Sequence, residues 1–147
     1  MLTTFKASAK ALNEGLQVET QARDFKILMD EPTDLGGTDK GMNPVEALLC
    51  ALGACQAIVV KAFAKAQGFT YEEFHVELEG DLDPDGFMGI NKNVRNGFSE
   101  VRFTMHFKTN ESQEKTEAFA DFVEASCPVC DCLGNTVKLV RSGVVID

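Results

Sequence analysis

The sequence predicts an α+β fold in one domain over residues 1–147. Three features carry that prediction: segments in which apolar and polar residues alternate, one long helix apolar on nearly every face, and helical segments nearer the C-terminal end. The length matches the commonest single-domain size. With 44% hydrophobic and 25% charged residues the composition is globular, which excludes disordered, collagen-like and disulfide-scaffold classes. Lys plus Arg number 14 against 23 Asp plus Glu, and the net charge of -9 repels phosphate backbones and anionic bilayers, so nucleic acid is not an expected partner. The N-terminal MLTTFKASAK has no apolar run of signal-peptide type, so the five cysteines are expected in a reducing cytoplasm, serving chemistry more than stapling.

Residues 4–11 set Phe5, Ala7, Ala9 and Ala11 on one side and Thr4, Lys6, Ser8 and Lys10 on the other, the period of a half-buried strand. Asn13-Glu14-Gly15 reads as a turn. Leu16, Val18, Thr20 and Ala22 form a second alternating run, and Phe25, Ile27 and Met29 a third after a break near Arg23-Asp24. DEPTDLGGTDKGM, residues 30–42, holds one Pro and three Gly without periodicity and is a loop.

A helix begins at Asn43-Pro44-Val45-Glu46, with an N-cap residue, Pro at the first helical position, and Glu at the third, where its carboxylate can reach back to the cap amide. It is expected to run about 24 residues, to a stop at Gly68. Between Ala47 and Val60 only Gln56 is strongly polar, so the helix requires protein on all sides. A membrane span is disfavoured, because the apolar stretch is shorter than the ~20 residues a bilayer needs and Glu46 and Lys61 bracket it. Ala51, Gly53 and Ala54 would admit a close backbone neighbour, which points to a subunit partner.

Phe74, Val76, Leu78 and Leu82 alternate with charged residues over 71–82, and Val101, Phe103, Met105 and Phe107 do so on a partner strand beyond a Gly- and Asn-rich connection. Asn110 with Gln113 reads as a second capping box, opening a helix to about Ser126 with Ala118, Phe119, Phe122 and Val123 on one face. From Thr136 the chain is expected to return to strand.

The cysteines fall in two groups. Cys50 and Cys55 lie on the apolar helix, about 140° apart around its axis, so they face different neighbours. Ala51, Leu52, Ile58 and Val59 surround Cys55, an environment that raises a thiol pKa, and simple packing of a small hydrophobe is the plain reading. The second group, Ser126-Cys127-Pro128-Val129-Cys130-Asp131-Cys132-Leu133-Gly134, opens a short helix at Pro128 and closes it at Gly134. Cys127 then takes the N-cap position, where backbone N–H groups favour a thiolate. Three readings stay open here. A thioredoxin-type Cys-x-x-Cys motif should follow a strand; a zinc site through Cys127, Cys130 and Cys132 lacks a second pair of ligands; the third reading pairs Cys127 with Cys55 across the core.

The loop DEPTDLGGTDKGMNP, the helix NPVEALLCALGAC with a Cys twelve residues after its Asn, and the later CPV together resemble the OsmC/Ohr family of osmotically induced and organic hydroperoxide resistance proteins. The resemblance covers most of the chain. It implies an OsmC-like fold with antiparallel sheets around a long buried central helix, and an interlocked homodimer with active sites at the interface. The family's first Cys maps onto Cys55 and its second onto Cys127. The implied chemistry is attack of a Cys55 thiolate on an organic hydroperoxide, condensation of the sulfenic acid with Cys127, and reset by a dithiol reductant, with no bound cofactor and no metal.

The chain departs from the family pattern at two places. Family peroxidases carry a Glu two residues after the motif Asn, and here that position is Val45. Glu46, one place further and about 100° round the helix, also fits the capping role. They carry an Arg near the first strand turn, and the only Arg before the helix is Arg23, which a solvated strand end would also explain. The expected function is thus a thiol-dependent hydroperoxide reductase with Cys55 and Cys127 catalytic, Cys130, Glu46 and Arg23 accessory, and weakened activity. The alternatives are an OsmC-like protein that binds a small apolar ligand or senses oxidants, and a zinc-binding structural protein.

Overall fold

The computed structural model describes Met1–Asp147. It has two compact units, Met1–Cys50 and Ala51–Asp147.

In the first unit, β1 (Ser8–Ala11), β2 (Val18–Ala22) and β3 (Phe25–Met29) form an antiparallel meander in that order. The alternating run expected from residue 4 pairs only from Ser8, because Ser8 lies opposite Gln21 and β2 ends one residue later at the Arg23-Asp24 turn. Arg23 sits there at φ 55°. Gly15 at φ 51° makes the first turn, and a Cβ on it would fall 2.7 Å from the Thr38 methyl.

The loop of residues 30–42 is built on Asp30, which is 1% exposed. Its carboxylate accepts hydrogen bonds from the N–H groups of Glu31, Thr38 and Lys40 at 2.8–3.2 Å and from the Thr38 hydroxyl, and these bonds hold its pKa down at about 2. Gly37 passes so close that a Cβ would meet the Glu31 carbonyl at 1.9 Å.

Helix α1 (Pro44–Phe63) begins as the capping pattern predicts, with Asn43 Oδ1 accepting the Glu46 N–H at 2.9 Å. Only half of the capping box forms. The Asn43 side-chain amide donates to the Glu31 carboxylate at 3.3 Å, and Glu46 is exposed. The helix is 20 residues long and gives way to a turn ending at Gly68 with φ 64°, where the Phe69 N–H reaches back to the Ala64 carbonyl.

The second unit contains β4 (Glu73–Asp81) and β5 (Glu100–Lys108), an antiparallel pair in register from Glu73 opposite Lys108 to Asp81 opposite Glu100. A one-turn helix, α2 (Pro84–Phe87), capped by the Asp83 carboxylate, starts the connection between them. The inner face of the hairpin, with Phe74, Leu78, Val101, Phe103, Met105 and Phe107, packs on a core of Leu52, Val59, Val60, Ala64, Phe69, Phe119, Val123 and Cys127. Gly53 admits the hairpin to the helix: a Cβ there would stand 2.8 Å from a Leu78 methyl. Ala51 and Ala54, the other small residues, are exposed, as are Leu48, Ile58 and Phe63.

Helix α3 (Gln113–Ser126) is capped by Ser112, whose hydroxyl accepts the Lys115 N–H at 3.2 Å, and not by Asn110 as the sequence pattern predicts. The reason lies one turn earlier. Thr109 donates to the Thr70 carbonyl at 2.6 Å and accepts the Glu111 N–H, while the Glu111 carboxylate accepts from both the N–H and hydroxyl of Thr70, which holds 109–111 outside the helix. Phe119 and Val123 are buried, and Ala118 is not. Helix α4 (Pro128–Gly134) has the predicted bounds. The tail from Thr136 is not strand and is exposed; it pairs with none of the five strands.

Candidate active site

The core of the second unit brings together three of the five cysteines. Cys55, on α1, is half-buried; Cys127, between α3 and α4, is 1% exposed; Cys130, one turn into α4, is half-buried. The Cys55 thiol faces the Cys127 thiol and the backbone N–H of Val129. Burial pushes the Cys55 thiol pKa up, the Val129 N–H opposes that rise, and the adjacent Cys127 thiol adds to it. All five thiols are free, and Cys50 and Cys132 are exposed.

Local sequence explains the placement of Cys127. Pro128 cannot continue α3, so the chain leaves the helix at Cys127, whose extended backbone (φ -80°, ψ 113°) serves at once as the C-cap of α3 and the N-cap of α4. Its Sγ accepts the Cys130 N–H at 3.3 Å, and its carbonyl accepts the Asp131 N–H at 3.1 Å.

Beside the thiols lies Gln56, fully buried. Its Nε2 donates to Cys130 Sγ at 3.5 Å, and its Oε1 has no hydrogen-bond partner. The sequence marked Gln56 only as the one strongly polar residue of an apolar helix; its role as a neighbour of Cys130 depends on a contact 74 positions away. The Val129 N–H carries no side-chain signal at all.

The two other candidates lie in the first unit. Arg23 is exposed at the β2–β3 turn and stacks its guanidinium over the Phe25 ring at 4.8 Å from the centroid. Glu46 projects from the first turn of α1, and Val45, at the position of the family carboxylate, is partly exposed.

A helix thiol beside the thiol that opens a second helix thus sits on an α+β frame of antiparallel sheets. Residues 37–140 match the family described as OsmC-like protein, and the chain belongs to that family. It is 26% identical over 129 residues to the hydroperoxide reductase of Mycoplasma genitalium, covering 85% of this chain and 84% of the relative. The crystal structure of an OsmC-like protein from Mycoplasma pneumoniae shares the fold, with a TM-score of 0.79 at 24% identity over 91% of this chain and 89% of that one. So does an organic hydroperoxide resistance protein OsmC from Legionella pneumophila, with a TM-score of 0.68 at 23% identity over 90% of each chain.

Proposed function

We propose that the protein reduces organic hydroperoxides with Cys55 as the attacking thiol and Cys127 as the resolving one. The observation that carries this reading is that Cys55 packs against the apolar core that holds Cys127, close enough for the two thiols to influence each other. The hydroperoxide-reductase names of low-identity relatives support it. In the first step the Cys55 thiolate displaces an alkoxide from the O–O bond, giving a Cys55 sulfenic acid and, after protonation, an alcohol. The Cys127 thiol then condenses with the sulfenic acid, forming a disulfide and releasing water. A small dithiol supplies two electrons to reset the pair. The apolar wall around Cys55 favours an organic hydroperoxide over hydrogen peroxide. In the same reading the protein works in the cytoplasm as a homodimer, a second copy covering the apolar faces of α1 left exposed at Leu48, Ile58 and Phe63.

Consumption of cumene hydroperoxide in the presence of a dithiol tests the reading. Wild-type protein turns over, Cys55→Ser does not, and one equivalent of hydroperoxide joins Cys55 to Cys127 in a peptide map. Turnover that survives Cys55→Ser refutes it.

A second reading, in which the protein binds a small apolar ligand or senses oxidants without efficient turnover, draws on the raised Cys55 pKa and on Val45 in place of the family's Glu. Stoichiometric oxidation of Cys55 without catalytic turnover supports this reading over the first.

A further inference from the structure

We propose that Cys130 is a third redox thiol, held in place by Gln56, which takes the disulfide over from Cys55 and presents it to the reductant. This rests on the reductase reading above. In a disulfide between Cys55 and Cys127 the Cys127 sulfur is 1% exposed, so an external dithiol can enter only at the half-buried Cys55, the same sulfur that meets the hydroperoxide. Cys130, half-buried like Cys55, is already tied to Cys127 through its own N–H at 3.3 Å and offers the reductant a second point of attack. As third residue of a capped helix its side chain turns back toward the cap, as a capping-box residue does.

Gln56 supplies the second observation. A fully buried amide with an unpartnered oxygen is costly where Leu or Ile would pack freely, and such groups call for a functional reason. Its Nε2 already points at Cys130 Sγ. Rotated by 180°, the same amide would accept an S–H through Oε1, so Gln56 can hold Cys130 as thiolate or as thiol.

The electrons balance without a further reagent. The Cys130 thiolate attacks Cys127 Sγ; the Cys127–Cys130 bond forms, the Cys55–Cys127 bond breaks, and Cys55 leaves as a thiolate ready for the next hydroperoxide. The dithiol then attacks Cys130 Sγ and releases Cys127. Its second thiol closes the reductant's own disulfide and frees Cys130, one of its two protons restoring the Cys127 thiol and the other replacing that taken up by the alkoxide.

Rapid-quench alkylation with cumene hydroperoxide and dithiothreitol tests the relay. In wild type the Cys55–Cys127 disulfide forms first and the Cys127–Cys130 disulfide replaces it. In Cys130→Ser the first species persists, and steady-state turnover falls by about tenfold while single-turnover hydroperoxide consumption is unchanged. Gln56→Leu slows the exchange and leaves the first step alone, whereas a merely structural role would slow both. Full turnover in Cys130→Ser, or no Cys127–Cys130 disulfide in wild type, overturns the relay and leaves the reductase reading standing. No hydroperoxide consumption in any form overturns both.

A separate observation carries a second inference. His75 and Glu77 lie two residues apart on the wet face of β4, and His106 lies directly opposite His75 on β5. The imidazoles stack with centroids 4.4 Å apart, His106 Nε2 is 3.2 Å from Glu77 Oε2, and one donor atom from each of the three residues lies within 4.8 Å of the others. Two histidines and a carboxylate on adjacent strands are a ligand set for a divalent transition metal, with an open position left for water. We infer that this hairpin face binds such an ion. Titration of the reduced protein with cobalt(II) chloride should give d–d bands without thiolate charge transfer, lost in His106→Ala. Bands of thiolate character, or a titration unchanged in His106→Ala, overturn the inference.

Discussion

Replacing Gln56 with Leu should stabilise the protein. The buried Oε1 has no partner, and removing it relieves a desolvation penalty of about 1–3 kcal/mol. Against this stands the loss of the Nε2 bond to Cys130 Sγ, long at 3.5 Å and to a weak sulfur acceptor, worth about 0.5 kcal/mol on the scale of neutral hydrogen bonds. Leucine nearly matches glutamine in volume, so neither cavity nor overpacking enters strongly. The balance is a gain of roughly 1–2 kcal/mol, or a rise in Tm of about 2–6 °C for a chain of this size. Urea unfolding in reducing buffer reads it as a higher midpoint at unchanged slope. A midpoint lowered by the equivalent of ~1 kcal/mol would show that Oε1 is satisfied in the folded protein, and the reasoning about its cost would fail. Gln56→Ala is the control: it opens a cavity and should destabilise.

Cys55 should alkylate with a pH midpoint above that of a free thiol, and Cys127→Ala should bring the midpoint down without restoring the free value, because burial remains the larger cause; a wild-type midpoint below ~8.5 contradicts this. Asp30 is held at about 2, below its value in an unfolded chain, so its stabilising effect is full above pH ~4 and is lost as pH falls from there through about 2; Asp30→Asn should flatten that part of an acid titration followed by circular dichroism. Ser112→Ala should cost about 0.5–2 kcal/mol in urea unfolding and Asn110→Ala far less; the reverse order would return the α3 cap to Asn110.

The strands β2 to β5 and the start of α1 were legible because each rests on a local rule: period-2 alternation, a cap residue, a Pro that breaks the preceding helix. The same holds for Cys127, whose position between Ser126 and Pro128 fixes it at a helix boundary. Local rules fail where a distant contact decides. Asn110 carries the capping signal as well as Ser112 does, and only the tie from Thr70 to Thr109 and Glu111 separates them. The tail has a strand's pattern but pairs with no strand, and the run from residue 4 outlasts the strand it pairs with. Asp30 reads as one acid in a polar loop until the chain from Glu31 to Lys40 wraps its carboxylate. At the site, Cys127 stood out by its capping position and Cys55 by the family resemblance, while Gln56 and the Val129 N–H emerged only from the folded packing.

Because Cys127 ends one helix and begins the next, its sulfur is both a reagent and a structural joint. The Sγ that would enter a disulfide is the acceptor for the first turn of α4, and closing an S–S bond of about 2.05 Å draws that sulfur toward its new partner. Oxidation therefore weakens the cap, and the first turn of α4 gains freedom with it. The backbone amide of Cys130 thus carries a record of the redox state: protected from hydrogen exchange while Cys127 is reduced, and exchanging faster once it is not.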